Sequence, residues 1–149
     1  MREVRRSALV PYTPSQMYSL VNDVAGYPAF VPFCPATRVV AVTATSLTAS
    51  IDIARLGMRF SVTTRNALVP DESIRMVLVE GPLKTFDGRW QFTAIRDAAG
   101  VQKGCRVELS VDFEFRNAAL DLVAGPVFES SWDALVDAFV RRAHEVYRG

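Results

Sequence analysis

The side chains best suited to catalysis or metal binding are few in this sequence and lie far apart. The 149 residues include two cysteines, Cys34 and Cys105, and one histidine, His144. A cysteine nucleophile needs a neighbouring base, and a zinc site needs several His, Cys or carboxylate ligands. We find neither pattern, and no glycine-rich phosphate loop or HExxH motif. We therefore expect no catalytic residue, no metal site and no enzymatic activity, with both cysteines packed inside and His144 in solvent.

Apolar and aromatic side chains are the more informative group. Half of the residues are hydrophobic, so a chain of this length can bury one substantial core without metals or disulfides. Aromatic residues gather in residues 27–33, 83–90 and 128–139, and each group fits either a packed core or the wall and lip of an apolar cavity. The candidates for ligand binding in that cavity are Tyr27, Pro28, Phe30, Val31, Phe33, Leu83, Phe86, Trp90, Phe128, Trp132, Leu135 and Phe139.

The charge balance gives no bulk attraction to nucleic acid. Seventeen Lys and Arg face sixteen Asp and Glu, for a formal net charge of +1, and we expect no DNA partner. A local patch that binds phosphate remains open. The basic residues near the two ends would form one patch if the first strand lay beside the last helix, and otherwise they are separate solvated charges. These residues are Arg2, Arg5, Arg6, Arg141, Arg142 and Arg148.

The clearest strand runs through residues 105–116. Apolar side chains at odd positions from Val107 to Phe115 alternate strictly with polar or charged ones. A period of two predicts a strand with one buried face and one wet face, as in an antiparallel sheet. Weaker versions of the pattern occupy residues 3–10, 39–45, 47–56, 58–69, 74–80 and 85–95. Short connections rich in Gly, Pro and Asp separate the later segments, which predicts a meander of hairpins.

Helices are predicted at three places. Thr13 and Gln16 are spaced as a capping box, with Pro14 at the first helical position, and this helix should end near Asp23. A short second helical turn is expected within residues 27–33. The longest helix should span residues 118–147, with Gly125-Pro126 bending its beginning. Its apolar stripe consists of Phe128, Trp132, Leu135, Phe139, Ala143 and Val146.

These elements predict a single α+β domain over residues 1–149. A curved antiparallel sheet of seven strands has one apolar face to bury, and only the C-terminal helix is long enough to cover it. This arrangement, with two short helices after the first strand, is the helix-grip architecture. Side chains of a strongly curved sheet do not all reach one helix, so we expect an apolar cavity between them.

Three segments of the sequence resemble a known family. They are residues 9–34, with LVNDV followed by YPAFVPFC, residues 81–92, and residues 111–117 taken together with 139–143. They are similar to the START-like (SRPBCC) polyketide cyclase/dehydrase superfamily, in the branch that holds coenzyme-Q-binding proteins and RatA ribosome-association toxins. Two positions depart from the pattern, because Leu83 and Phe33 stand where the family often has Phe and Trp. Both exchanges keep an apolar side chain.

The resemblance implies a helix-grip fold whose cavity holds ubiquinone or a similar polyisoprenoid. Our first hypothesis is therefore a non-enzymatic carrier or chaperone of ubiquinone that supports respiration and requires no cofactor of its own. The alternative is a toxin that binds the large ribosomal subunit and blocks subunit association. A polyketide cyclase or aromatase is the third hypothesis. The expected location is the cytoplasm, with transient contact at the inner membrane for a quinone carrier.

Overall fold

The sheet has the seven strands and the meander expected from the sequence. The computed structural model describes residues 1–147. Within these residues all strand pairs are antiparallel, in the order β1-β7-β6-β5-β4-β3-β2. The strands are β1 (Arg2–Val10), β2 (Thr37–Val42), β3 (Ser46–Arg55), β4 (Met58–Val69), β5 (Ser73–Glu80), β6 (Leu83–Arg96) and β7 (Gln102–Phe115). β2 begins earlier than expected because Thr37 already pairs with Ile51 of β3. It ends earlier because the Thr43 and Ser46 hydroxyls hydrogen-bond at 2.8 Å and form a turn there.

The first helix, α1 (Pro14–Asn22), has the predicted capping box. The Gln16 amide donates to Thr13 Oγ1 at 3.0 Å, and the Thr13 amide donates to Gln16 Oε1 at 2.9 Å. A 3-10 helix (Val24–Ala29) follows at once. It begins earlier than the predicted turn because the Gly26 amide already bonds the Asp23 carbonyl.

The long helix α2 (Ala118–Tyr147) covers the concave face of the sheet. The predicted stripe is buried from Phe128 to Ala143, but Val146 is exposed. Pro126 lies within the helix and does not end it. The Arg2 guanidinium lies close over Gly125, where a Cβ atom would oblige the arginine side chain to move. The helix and β1 therefore approach closely.

Ion pairs join β1 to α2 along one edge of the fold. Arg2 binds Asp121 at 3.0 Å and Glu129 at 2.8 Å. Arg6 binds Asp137 at 2.7 Å and reaches Asp133 at 3.5 Å. The hydrogen bond from Arg2 lowers the pKa of Asp121, and the carboxylates raise the pKa of Arg2 and Arg6. These contacts fix α2 above β1 and β7.

Of the two arrangements considered for the terminal arginines, the single basic patch is not formed by the described residues. The first strand does lie beside the last helix, but four carboxylates of α2 balance Arg2 and Arg6. Arg5 faces the other side of the sheet and binds Asp112 at 2.7 Å. Arg142 binds Glu145, and Arg148 lies outside the described residues. The arginines are thus separate, and mostly paired rather than simply solvated.

Candidate functional site

A cavity lies between α2 and strands β3 to β5. Because α2 is held above β1 and β7, the other half of the concave face is covered partly by residues 27–34. The cavity volume is about 50 Å³. Its wall is almost entirely apolar and is formed by Tyr27, Val31, Pro32, Phe33, Cys34, Ile51, Ile53, Val62, Thr64, Met76, Phe128, Ser131, Trp132 and Leu135.

A smaller inner chamber of about 20 Å³ adjoins this cavity. The two share Tyr27, Ile51, Thr64, Met76, Trp132 and Leu135. The inner chamber adds Val21, Val24, Ala49, Asn66, Ile74 and Trp90. Its wall includes the only strongly polar pair of the two chambers among the described residues, Thr64 and Asn66. The Thr64 hydroxyl donates to Asn66 Oδ1 at 2.8 Å, and both residues are buried.

Trp132 contributes a second polar group to the same region. Its side chain is 8 % exposed and lines both chambers. The indole Nε1 is buried, and no acceptor lies within hydrogen-bond distance among the described residues. A buried N–H without a partner costs about 1–3 kcal/mol. The residues around the inner chamber thus include three with polar atoms, Thr64, Asn66 and Trp132, among apolar ones.

Phe33, which lines the cavity, packs against Arg55 on the neighbouring strand β3. The backbone of Phe33 has φ 64°, in the left-handed region that residues other than glycine rarely adopt. The Arg55 guanidinium lies 4.3 Å from the centre of the Phe33 ring and donates to Ser130 Oγ of α2 at 2.5 Å. The Ala54 amide also donates to the Phe33 carbonyl at 2.9 Å. Arg55 thus joins the loop that carries Phe33 to the long helix.

The ionisable groups beside the cavity are held in their neutral forms. Burial raises the pKa of the Tyr27 phenol, whose hydroxyl donates to the Val21 carbonyl. Burial, with a smaller effect of Asp52, raises the pKa of the Cys34 thiol to about 11. Cys105 is fully buried in β7, and its pKa is raised by burial as well. Neither thiol is activated as a nucleophile at neutral pH.

Seven of the twelve predicted site residues lie in the walls of the two chambers. These residues are Tyr27, Val31, Phe33, Trp90, Phe128, Trp132 and Leu135. Three of them come from the loop before β2 and three from α2, so the structure brings together segments about a hundred positions apart in sequence. Whether they bind a ligand stays a prediction.

The other five predicted residues lie outside the walls of the two chambers, and their part in binding a ligand likewise stays a prediction. Phe139 is 1 % exposed and packs against Tyr27, Phe30 and Trp90 with ring centres 5.3–5.5 Å apart. Phe30 is half-buried, with the Arg142 guanidinium 5.2 Å from its ring. Their rings fill the space behind Tyr27 completely, so they belong to the core.

Different reasons keep the remaining three residues, Leu83, Phe86 and Pro28, out of the chamber walls. Leu83 and Phe86 lie on β6 directly beneath α2, where the space is filled. The Phe86 ring packs against Phe128 and Trp132 at 6.1 and 5.8 Å. Pro28 is exposed on the outside of the 3-10 helix.

Sequence reasoning missed the wall that the sheet contributes. Residues of β3 to β5 form most of it, namely Ile51, Ile53, Val62, Thr64, Asn66, Ile74 and Met76. The alternation in β4 carried a usable signal, because Val62, Thr64 and Asn66 share the inward face with Phe60 and Leu68. Two polar residues on an inward face indicate either a bonded polar pair or a cavity.

His144 is not the solvated residue expected from the sequence. It is half-buried, and its Nδ1 lies 2.6 Å from the Tyr12 hydroxyl. The contact joins the end of α2 to the start of α1. Within residues 1–147 no group of His, Cys, Asp and Glu is arranged to hold a metal ion. Within the same residues, no helix has the length and apolar character needed to cross a bilayer.

The convex face of the sheet carries a row of arginines. Arg75 lies directly opposite Arg89 on the neighbouring strand, Arg89 lies opposite Ser110, and Ser110 lies opposite Arg5. Asp87 reaches Arg75 at 3.4 Å, and Asp112 binds Arg5 as described above. Arg89 is exposed and makes no ion pair with the described residues. Glu108 borders the same shallow groove.

Comparison with known proteins decides the family. Residues 10–140 match the family model described as "Polyketide cyclase / dehydrase and lipid transport". This chain belongs to that family. The chain is also 44% identical over 147 residues to the Ribosome association toxin RatA of Escherichia coli, covering 99% of this chain and 90% of the relative.

More distant relatives show how widely the fold is used. The chain is 24% identical over 146 residues to the mitochondrial Coenzyme Q-binding protein COQ10 homolog B of Xenopus laevis, covering 97% of this chain and 59% of that protein. The crystal structure of the Zhui aromatase/cyclase from Streptomyces sp. R1128 superposes with a TM-score of 0.81, 20% identity and coverage of 99% of this chain and 98% of that one. The START-like fold is therefore established, and fold alone does not choose between these activities.

Proposed function

We propose that this protein binds the large ribosomal subunit and blocks subunit association. The observation that carries the proposal is 44% identity, over 99% of this chain, to a protein named Ribosome association toxin. The quinone hypothesis has a more distant relative, at 24% identity. These relatives are named as toxin and binding proteins rather than as enzymes, which favours a binding function. The quinone hypothesis therefore takes second place.

The convex arginine row is the surface proposed to meet ribosomal RNA. Fifteen of the seventeen basic residues of the chain are arginine, whose planar guanidinium binds a phosphate through two hydrogen bonds. Like charges directly opposite on neighbouring strands destabilise a sheet. Arg75 and Arg89 are such a pair. Asp87, 3.4 Å from Arg75, offsets their repulsion in part, and a phosphate between them would reduce it further. Charge complementarity thus favours the RNA backbone as the partner of this face.

The test is co-sedimentation of the purified protein with large and small ribosomal subunits in separate sucrose gradients. We expect the protein in the large-subunit fraction at low salt. Phosphate contacts release counterions, so the bound fraction should fall as the salt concentration rises. Protein that remains at the top of both gradients at low salt would refute the proposal.

A pair of charge reversals locates the surface. Arg89→Glu changes the convex row, and Arg141→Glu makes the same change on the exposed side of α2. Loss of one phosphate contact and gain of a negative charge should weaken binding about ten-fold or more for Arg89→Glu at low salt. Arg141→Glu should bind as the unmodified protein does. Equal effects of the two variants would mean that only net charge matters.

A second function, the binding of a compact apolar ligand, is favoured by the cavity. Burial of apolar surface contributes about 25 cal/mol per Å², so a small apolar group gains free energy by entering the dry chambers. The two chambers together are too small for a long isoprenoid tail, because each water-sized space takes about 10–15 Å³. Binding of ubiquinone would therefore require the walls of the cavity to move apart.

Organic extraction of natively purified protein, followed by mass spectrometry, tests this second function. A quinone or another apolar compound recovered in stoichiometric amount supports it, and an Ile51→Phe variant, which places a larger side chain in the wall shared by both chambers, should lose the compound. Repeated preparations from which no such compound is recovered would count against it. Failure to recover a compound would say nothing about ribosome binding, so the two functions are tested separately.

A further inference from the structure

We infer that the groove beside the convex arginine row recognises an unpaired guanine of RNA, whose base hydrogen-bonds to Glu108 and Gln91. The inference deepens the ribosome-binding function proposed above and rests on it. It goes further in one respect: arginines on phosphates hold any RNA equally well, whereas contacts to the edge of a base select among RNAs. Glu108 and Gln91 would therefore set which RNA the convex face prefers.

The groove crosses the convex side of β1, β7 and β6 and has a volume of about 450 Å³. Two rows of side chains run across it, and the first is the arginine row. The second row lies two residues further along each strand, about 7 Å away, and consists of Ser7, Glu108 and Gln91. One nucleotide can therefore place its phosphate on the first row and its base on the second.

Glu108 carries the one charge of this groove that phosphate binding does not explain. The residue is half-buried, and its carboxylate makes no ion pair with the described residues. Asp87 and Asp112, by contrast, are each paired with an arginine. A carboxylate beside a polyanion weakens binding, because like charges repel. A carboxylate only accepts hydrogen bonds, so Glu108 gains from donors of the RNA, and phosphates have none.

Gln91 lies directly opposite Glu108 and narrows the choice of base. Its exposed amide offers one group that donates and one that accepts hydrogen bonds. Guanine carries two neighbouring donors, N1–H and the N2 amino group, beside the acceptor O6. The two donors match the two carboxylate oxygens of Glu108, and O6 matches the amide of Gln91. No other RNA base has two neighbouring donors on this edge, and the edge is free only in an unpaired base.

The next row along the strands offers support for the flat face of a base. Leu9 of β1 stands opposite Arg106 of β7. The Leu9 side chain is 66 % exposed, and Arg106 is exposed as well. A guanidinium plane stacks on unpaired bases, and a base that covers Leu9 also removes apolar surface from water. The exposed leucine on this otherwise polar side of the sheet is thereby explained.

The test uses single-stranded RNA heptamers of uridine whose central nucleoside is guanosine, inosine or adenosine. Binding of the full chain is measured by fluorescence anisotropy at low salt. We expect the guanosine RNA to bind most tightly. Inosine lacks the N2 amino group and should bind about three- to ten-fold more weakly, the effect of one hydrogen bond. Adenosine turns a lone pair at N1 toward the carboxylate and should bind about ten-fold or more weakly.

A matched pair of variants assigns the preference to Glu108. Glu108→Gln keeps the size of the side chain but removes its charge, so the guanosine RNA should lose its advantage. The adenosine RNA should bind at least as tightly as before, because a like charge is gone. Glu114→Gln makes the same change at a half-buried position of the same strand and face, outside the groove, and should keep the preference. Arg89→Glu should weaken all three RNAs alike, since phosphate contacts carry no sequence information.

The outcomes separate the inference from the function on which it rests. If the guanosine and adenosine RNAs bind equally, or if the preference survives Glu108→Gln, the inference is wrong and binding to the large subunit is unaffected. If none of the three RNAs binds at low salt, the inference is overturned, and co-sedimentation alone decides the proposed function. The three RNAs with the unmodified protein decide the matter even if Glu108→Gln fails to fold.

Discussion

The same strands present apolar side chains on the concave face of the sheet and charged side chains on its convex face. On β6, Phe86 and Trp90 are buried beneath α2 and Phe92 packs against Tyr18 of α1, while Asp87 and Arg89 face solvent. Because side chains alternate along a strand, each position belongs to one face only. The concave face can thus supply the core and the cavity, while the convex face presents charge. Substitutions on one face are expected to leave the other intact.

The concave face is itself divided into a packed half and a half with a gap. Over β6 and β7, Phe128 packs against Phe113 with ring centres 4.7 Å apart, and little space remains. Over β3 to β5, residues 27–34 replace the helix as the cover, and the two chambers lie beneath them. The helix rests at the β1 edge, where Arg2 and Arg6 bind its carboxylates. The position of the cavity follows from this placement of the helix.

The largest expected effect comes from truncating the packed half. Phe139→Ala removes a ring that is 1 % exposed and should lower the free energy of unfolding by about 3–5 kcal/mol. Chemical denaturation followed by circular dichroism measures this change. The convex control Arg89→Glu should stay within about 0.5 kcal/mol of the unmodified protein. A loss below about 1 kcal/mol for Phe139→Ala would show that Phe139 borders open space after all.

A smaller effect is expected from loosening the helix at the β1 edge. Arg6→Ala removes both ion pairs to Asp133 and Asp137 and should cost at most about 1 kcal/mol, since these carboxylates are half or more exposed and screened by solvent. The difference from the unmodified protein should shrink in 1 M salt, because ions screen exposed charges. A loss that is large and insensitive to salt would contradict this account and point to packing of the arginine stem.

The smallest expected effect is a change in the pH at which the Cys34 thiol becomes reactive. The pKa of the Cys34 thiol is raised to about 11 by burial, so the stabilising effect of the neutral thiol is full below the ordinary thiol pKa and is lost as pH rises toward 11. Alkylation of Cys34 in the folded protein, measured by mass spectrometry, should keep accelerating up to about pH 11. In denatured protein the rate should level off near the ordinary value, about 8.5. A plateau at that pH in folded protein would contradict the burial of Cys34.

Much of the fold follows from local patterns in the sequence. The period-two alternation of β7, the capping box at Thr13 and the apolar stripe of α2 each specify their own element, and the turn residues specify a meander. Val146 was misassigned because a helical stripe does not reveal where the sheet ends. The pairing of Arg2 and Arg6 with α2 was equally hidden, since those contacts join residues more than a hundred positions apart.

The sequence predicted that an apolar cavity exists, but it did not predict which residues form its wall. A curved sheet and one helix imply a gap, yet its position depends on where the helix rests. Phe139 and Trp132 share one stripe in sequence, but Phe139 is enclosed by three aromatic rings and Trp132 lies at the wall. Asn66 was missed because a polar residue on an inward face can be interpreted only when its hydrogen-bond partner is known, and that partner is Thr64.

The most direct test of the central claim is the rate at which purified ribosomal subunits associate, followed by light scattering. The unmodified protein, added to large subunits first, should reduce the formation of whole ribosomes. Arg89→Glu on the convex face should inhibit more weakly, while Trp132→Phe in the cavity and Arg141→Glu on α2 should inhibit as strongly as the unmodified protein. Association that proceeds at its normal rate with saturating protein would contradict the proposed function, and equal inhibition by Arg89→Glu would contradict the assignment of the convex face.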